Sequence, residues 1–417
     1  MLSVLPLLSL SIPAATPSSA AGWKLVTSGI AKTSLGLSAL NSSTIYLAGG
    51  GGTIAEGAFV AVSTDAGASW EAIPETGARS MSLSNVVKVM PGTGLRVAAG
   101  VTFFGGPVAF SASGADTTAV FKAVPAKDVF STQSLEAAHG KVFITGEWNH
   151  WGNGSVCTTP VSPQCSGVFV ADASTFPDAK FSRVLWGGTD EPGVDARYGA
   201  FPTPTTWYVS GGMWPSSAAA GYAANLARGM PPSAASRSRP TGGERRVNRR
   251  EGPLDGYRAL ITKTTDGGKT WATVFNDTGF NSSFAFYFNQ IACADEMTCW
   301  AAAECPGTEC PDYGAFIYHT ADGGATWTKQ AFFYEVSLLK VKVVSKTRVL
   351  AIGGEVGMSF GAVLVSTEDG GATWQQESLE GHGYGFGLEI LPDGSRGYAI
   401  TCSIGGMGGC GFWRYNA

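Results

Sequence analysis

Short alternating apolar runs recur along the chain, cut at regular intervals by turns rich in Gly, Asp, Ser and Thr. A run such as Gly361-Ala-Val-Leu-Val-Ser366 is too short for a helix, and its β-branched content predicts a strand. Two patterns organise these runs. In the first, an apolar strand, a polar turn and a strand ending in small residues follow one another. It occurs from Leu35 to Gly50, Asn85 to Gly100, Ser134 to Glu147, Tyr198 to Gly212, Phe288 to Glu304, Leu338 to Glu355 and Phe386 to Cys402. The second is an eight-residue turn, Thr264-Thr-Asp266-Gly-Gly268-Lys-Thr270-Trp271, with further copies at Ser63 to Trp70, Thr320 to Trp327 and Thr367 to Trp374. The residue types suit a tight hairpin. The carboxylates of Asp65, Asp266, Asp322 and Asp369 can bond the turn's own amides, Gly supplies positive φ, and Trp70, Trp271, Trp327 and Trp374 pack beneath.

The turn resembles the Asp-box of sialidases, sortilin-type receptors, xyloglucanases and photosystem II assembly factors, which are β-propellers. The resemblance implies a structural role for the turn, on the face away from the working one. With a period of about fifty residues, the two patterns together predict an all-β fold, a seven-bladed β-propeller of four-stranded antiparallel blades. Two outer turns are eroded, one around Asp116 to Phe121 and one around Asp172. The seventh is split. Trp23-Lys-Leu-Val26 reads as an outer strand without its turn, and Gly411-Phe-Trp-Arg-Tyr415 as a strand without its partner, so the last blade is expected to be closed by the N-terminal strand. The rhythm is most similar to the photosystem II assembly factor type over residues 23 to 417, which implies a non-enzymatic protein-binding propeller. The cysteine pairs and the absence of a cationic patch on the blades depart from that type, so none of its binding residues is carried over.

Blade four holds about forty residues more than its neighbours, from about Trp214 to Gly256. Seven Arg oppose Glu244, Glu251 and Asp255 there, so the segment is basic within a chain of net charge −4. It keeps no apolar periodicity and reads as disordered: a solvated loop, a basic binding arm or a mis-spliced intron.

With 14% charged residues and a mildly acidic balance, nothing points to nucleic acid. Residues 1–21 carry Leu2, Leu5, Leu7, Leu8, Leu10 and Ile12 ahead of Ser19-Ala-Ala21, which reads as a secretory signal peptide, with residues 22–417 forming the propeller. No segment reaches the roughly eighteen apolar residues of a spanning helix, so a secreted, extracellular monomer is expected. The eight cysteines fall into neighbouring pairs, Cys157 with Cys165, Cys293 with Cys299, Cys305 with Cys310, and Cys402 with Cys410. Sequence alone leaves their connectivity open, but hairpin-bracketing disulfides suit an oxidising compartment. Zinc is the rival, and the spacings and scattered histidines argue against it. No metal or cofactor is expected. Sequons at Asn41, Asn153, Asn276 and Asn281 fit a glycoprotein.

Because antiparallel strands alternate direction, the loops between second and third strands share one face with the blade-to-blade crossovers. Three of the cysteine pairs fall on that face, as do Glu147, Glu304 and Glu355 at the ends of second strands, and Asp190 and Glu191 in a crossover. Phe103, Phe104, Trp148, Trp151, Phe286, Tyr287, Phe333, Tyr334, Tyr384 and Phe386 are expected there too. Aromatic rings beside acids suit a glycan or protein ligand, and Glu147, Trp148, Trp151, Asp190, Glu191, Glu304, Glu355 and Tyr384 are the candidate binding residues. The competing reading takes the rings as blade packing and the acids as solvated rim. No catalytic residue is assigned: the sialidase Arg-Ile-Pro stretch is missing and no arginine triad can be assembled. A glycoside hydrolase or sialidase-like enzyme with paired carboxylates on the same face is the alternative.

The segment 214–256 is expected to contribute nothing to the fold, since lengthening a loop costs only about 0.6 kcal/mol per doubling. A chain joining Met213 to Tyr257 through a short Gly-Ser turn should melt within a few degrees of the full chain and resist protease better. Failure of that chain to fold, checked by thermal denaturation, would place part of blade four in the segment.

Overall fold

In the computed structural model, residues 18–19, 22–30, 33–50, 58–73, 83–90, 92–101, 109–124, 129–148, 166–184, 194–213, 258–276, 286–305, 313–356, 361–379, 383–403 and 409–416 are described. Seven four-stranded antiparallel blades form a ring. Blade one is Thr33–Ala39, Ile45–Gly50, Ala58–Ser63 and Glu71–Ala72, and blade two Leu83–Met90, Leu95–Val101, Ala109–Ala112 and Lys122–Ala123. Blade three is Val129–Ala138, Lys141–Trp148, Ser166–Asp172 and Ser182–Val184, and blade four Val194–Ala200, Trp207–Met213, Arg258–Thr264 and Ala272–Asn276. Blade five is Tyr287–Cys293, Cys299–Cys305, Gly314–Thr320 and Thr328–Tyr334, and blade six Val336–Val343, Val349–Glu355, Ala362–Thr367 and Gln375–Leu379. Blade seven takes Tyr384–Ile390, Arg396–Cys402 and Cys410–Asn416 from the C-terminal end and Trp23–Ser28 from the N-terminal end, Leu25 facing Trp413. The ring is therefore closed by hydrogen bonds between the two ends of the chain, as the split repeat predicts.

In each blade the first hairpin falls where the strand–turn–strand pattern places it. Blade four closes without its long connection, because Met213 pairs with Arg258 across the two strands that flank it. The segment 214–256 itself lies outside the described residues. So do residues 1–17, 20 and 21, within the stretch expected to be a signal peptide, while Ser18–Ser19 of the same stretch pairs parallel with Glu377 and Ser378 on the edge of blade six.

The blades have no common core. Buried apolar side chains fall into separate clusters, each centred between two successive blades around the ring, with Leu339 of blade six joining the cluster between blades seven and one. Cluster members such as Val60 and Phe110 between blades one and two, or Leu364 and Trp413 between blades six and seven, each cover the neighbour's face. Every sheet thus buries both faces, which explains strands such as Ile45–Gly50 with no exposed position.

The acidic turns join blade to blade. In each of the four, the hydroxyl that opens the turn accepts the second glycine's amide at 2.7–2.9 Å and donates to the Asp at 2.8 Å. The same carboxylate accepts an amide at 2.9 Å and a hydroxyl at 2.6–2.7 Å from the residue before the Trp. Each turn's backbone also bonds the first hairpin of its own blade, as in Gly267 N–H to Thr205 O at 2.9 Å and Gly370 N–H to Thr347 O at 2.8 Å, so both kinds of turn share one face. The second glycine lies against the preceding blade: a Cβ on Gly268, at φ +89°, would stand 2.3 Å from Val184 Cγ1. Trp70, Trp327 and Trp374 meet Phe412, Tyr208 and Phe333 of the preceding blade edge-on. Trp271 donates its indole N–H to Gly268 O at 3.0 Å. The eroded turns keep the carboxylate cap alone, Asp116 accepting from Thr118 and Asp172 from Ser174.

These bonds hold the carboxylates far below the usual range. The Ser69 hydroxyl brings Asp65 down to about 2, the Thr326 hydroxyl Asp322 to about 2, and the Thr373 amide Asp369 to about 2. A carboxylate depressed in the folded state stabilises fully above its unfolded value near 4 and loses that contribution as pH falls through about 2. Melting temperature should therefore drop between about pH 4 and pH 2. The Asp322→Asn chain should melt lower at neutral pH and show a shallower acid loss, followed by circular dichroism. An equally steep loss would remove the turns as the cause.

Candidate functional site

Second strands run toward the face opposite the acidic turns, so Glu147, Glu304 and Glu355 stand at or next to the end of their strands on the loop face. Glu304 is 3% exposed and does not project into solvent. It accepts from the Tyr287 hydroxyl of its own blade and the Ser337 hydroxyl of blade six, so its carboxylate bridges two blades. Glu355 is half-buried, its N–H donating to Gly361 O across the loop at 2.9 Å. Tyr384 is 1% exposed, stacked on Phe386 in the core between blades seven and one, and packing accounts for it. Glu147 and Trp148 have their backbones in blade three, and their side chains lie outside what is described. Phe103, Phe104, Trp151, Asp190, Glu191, Cys157, Cys165 and Cys310 also lie outside the described residues.

Of the aromatics expected on this face, Phe286, Tyr287, Phe333 and Phe386 are buried and Tyr334 is 63% exposed. Its ring lies 6.4 Å from Tyr313, edge to face, and Tyr313 escaped sequence reasoning because nothing in its context marks a ligand-facing ring. Both are held by blade five. Gly314, which follows Tyr313 and pairs across the sheet with Tyr334, is so close to Phe333 O that a Cβ would sit 2.2 Å away. Glu335 follows Tyr334 at φ +55°, and its carboxylate holds the Tyr334 phenol above its usual pKa. Nearby loops are closed by cystine: Cys402–Cys410 joins paired positions on this face and Cys293–Cys299 brackets the hairpin opposite. Cys305 is also disulfide-bonded, and no described cysteine is free. Among the described residues no group of His, Cys, Asp and Glu could hold a metal ion.

A second feature was not legible in the sequence. The first strand of every blade has a bulge, at Leu35, Asn85, Gln133, Arg197, Asn289, Leu339 and Phe386 in turn, where the register shifts by one residue. Those with described side chains are 2–9% exposed, so the ring of bulges fills the central channel on the loop side. The ring is two-sided in chemistry: polar in blades two to five, apolar in blades six, seven and one. Arg197 lies 5.1 Å from the Tyr287 ring centroid, near the Glu304 network.

Below the bulges the channel opens into a cavity of about 240 Å³ lined by all seven first strands, ending near Ala138, Pro202, Cys293 and Val343 at the hairpin-turn end. Lys88, Glu136, Lys340 and Lys342 line it. Lys88 pairs with Glu136 at 3.3 Å, and Lys342 with Glu389. Burial works against the Lys88 charge, but Glu136 and Glu389 hold its ammonium above the usual value. Lys340 differs. Burial pulls it down to about 8, Lys88 adds repulsion, and Glu136 opposes only in part. Its sequence signal, had it been weighted, was the Lys340-Val-Lys342 alternation on a first strand.

No protein-family model matches the chain, and no curated protein matches it. Solved structures share its fold. YCF48 bound to D1 peptide is 14% identical with a TM-score of 0.54, covering 98% of this chain and 100% of that one. YCF48 from Cyanidioschyzon merolae is 11% identical with a TM-score of 0.54, covering 95% and 99%. A PL25 ulvan lyase bound to a glucuronate–sulfated rhamnose unit is 10% identical with a TM-score of 0.51, covering 93% and 94%. At these identities the likeness is one of fold, and the seven-bladed propeller stands on it and on the pairing together.

The buried Glu304 network makes a stability claim. In Tyr287→Phe one carboxylate oxygen loses a donor inside the ring, and the folded state should lose about 1–3 kcal/mol by urea denaturation. An unchanged midpoint would mean that water takes the hydroxyl's place.

Proposed function

We propose that this chain is an exported, non-catalytic Asp-box propeller that recognises an extracellular protein or glycan on its loop face. The observation that carries the reading is the Tyr313–Tyr334 pair. A ring 63% exposed, on a strand end that tight backbone packing holds in place, offers apolar area at little ordering cost. Glu335 and the half-buried Glu355 flank it and can accept from ligand amides or hydroxyls. Glu147, Trp148, Trp151, Asp190 and Glu191 extend the same face in this reading. Disulfides at Cys293–Cys299 and Cys402–Cys410 fit export, with residues 1–21 as the signal. That a YCF48 propeller of this fold is bound to D1 peptide supports a protein ligand ahead of a glycan.

One observation favours the alternative of a glycoside hydrolase or sialidase-like enzyme: Tyr287 donates to Glu304, with Arg197 over the tyrosine ring. A Tyr–Glu pair is a nucleophile arrangement sialidases use. Here, however, the pair is 0% and 3% exposed, and a substrate would first have to displace the residues that cover it.

Peptide and glycan arrays probed with the secreted chain, alongside hydrolysis assays on aryl glycosides and sialosides, separate the two readings. Binding without turnover is expected, and Tyr334→Ala should weaken it about tenfold or more, about 1.4 kcal/mol, at unchanged melting temperature. Turnover that disappears in Glu304→Gln would establish the enzyme instead.

A further inference from the structure

The channel cavity lies on the far side of the bulge ring from the loop face, so a function there is independent of the one proposed above. Its charges are unequal. Lys88, Lys340 and Lys342 face Glu136 and Glu389, which leaves one ammonium in excess, and the two ion pairs assign that excess to Lys340. Among the described residues no carboxylate lies within ion-pair distance of Lys340. Its Nζ stands 5.6 Å from the Tyr198 ring centroid, with the ring's face as its nearest compensation. Tyr198 is itself flanked by Arg197 on blade four, whose cation sits toward Tyr287 and Glu304 above the cavity. A half-buried ammonium whose nearest carboxylate acts only at a distance is under-compensated, and an anion in the cavity would supply the missing charge. The rest of the wall mixes polar groups such as Ser134 and Gln290 with apolar surface from Leu35, Val86 and Leu388 of blades one, two and seven.

We propose that the channel cavity binds a small organic monocarboxylate, its carboxylate on Lys340 and its alkyl part against Leu35, Val86 and Leu388. The net charge favours a monoanion over sulfate or hydrogen phosphate, because a second negative charge would find Lys88 and Lys342 already paired. About 240 Å³ holds an acid of a few carbons and falls short of the roughly 300 Å³ at which drug-sized pockets begin. The apolar part of the wall favours such an acid over chloride, which would leave it facing water.

The interaction needs Lys340 protonated, and its ammonium is pulled down to about 8, so affinity should decline through the mildly alkaline range. Calorimetric titration of the full chain with sodium butyrate at constant ionic strength tests the assignment. From pH 7 to pH 9.5 the protonated fraction, and with it affinity, should fall about thirtyfold for a group titrating at about 8. Lys340→Met should abolish binding while melting at or above the unsubstituted chain, since it removes a half-buried, poorly compensated charge. Tyr334→Ala, on the other face, should leave butyrate binding unchanged. Should Lys340→Met not fold, the pH series on the unsubstituted chain still decides. No heat of binding at pH 7, binding that persists unchanged at pH 9.5 or in Lys340→Met, or equal affinity for chloride and sulfate would each overturn the proposal.

Discussion

A blade of this protein cannot bury its own apolar surface, and that constraint shapes the rest of the molecule. A four-stranded sheet has two faces, and here both are apolar: Val60 and Val62 of blade one lie in one cluster, Leu47 and Ile45 in the next. Each face is covered only by the adjacent blade, so every interface must form for any to be complete, and the ring must close. Closure falls to the chain's two ends, where Trp23 packs on Tyr415 with ring centroids 5.5 Å apart and Leu25 faces Trp413. The cost is a long-range contact between residues almost four hundred positions apart, which local interactions have to prepare.

The acidic turns do that preparing. Their hydrogen bonds are nearly all within eight residues, so each turn can form before its blade finds a neighbour. Once formed, it presents a bare glycine and a tryptophan edge to the preceding blade. Polar neighbours then complete the joint: Lys263 of blade four donates to Gly323 O at 2.7 Å, and Gln330 of blade five to Gly370 O at 2.8 Å. Gln330 also accepts the Trp300 indole N–H at 3.1 Å, tying the turn of blade six to the interior of blade five. A device written in local sequence thereby specifies a nonlocal contact.

This division explains what could be read without coordinates. The turn text and the small-residue strands are local, and from them the blade count, the strand assignments and the sorting of loops onto two faces follow. The bulges are not local in the same sense. Leu35, Gln133, Arg197, Asn289, Leu339 and Phe386 share no residue type, since what bends each strand is its fit against two neighbours. One unpaired residue turns the side chains that follow it to the other face. Tyr384 and Phe386 look like loop-face aromatics in sequence, yet they pack within the ring, and Tyr334, at the last paired position of its strand, stays outside. Glu304 was legible by position, but Ser337, thirty-three residues on, could not be assigned to it from sequence.

The bulge ring also accounts for the uneven chemistry of the channel. Seven first strands converge on one axis, and side chains there must either fill the space or leave it polar and wet. On the loop side the bulges fill it. Asn289 donates to Leu338 O at 2.9 Å, while Leu35, Leu339 and Phe386 belong to one apolar cluster across three blades. One residue further along each strand the positions are Gly36, Ser134 and Gly387 in three blades, too small to meet across the axis, Val86, Tyr198 and Gln290 in three others, and Lys340 in blade six. The small residues open the cavity, and of the three lysines that line it Lys340 is the one without an ion pair among the described residues. Leu339, Phe386 and Leu35 close the layer above with apolar side chains in three blades, a solution open to position 340 as well, so the half-buried charge there is what distinguishes the proposed ligand cavity from space left over by packing.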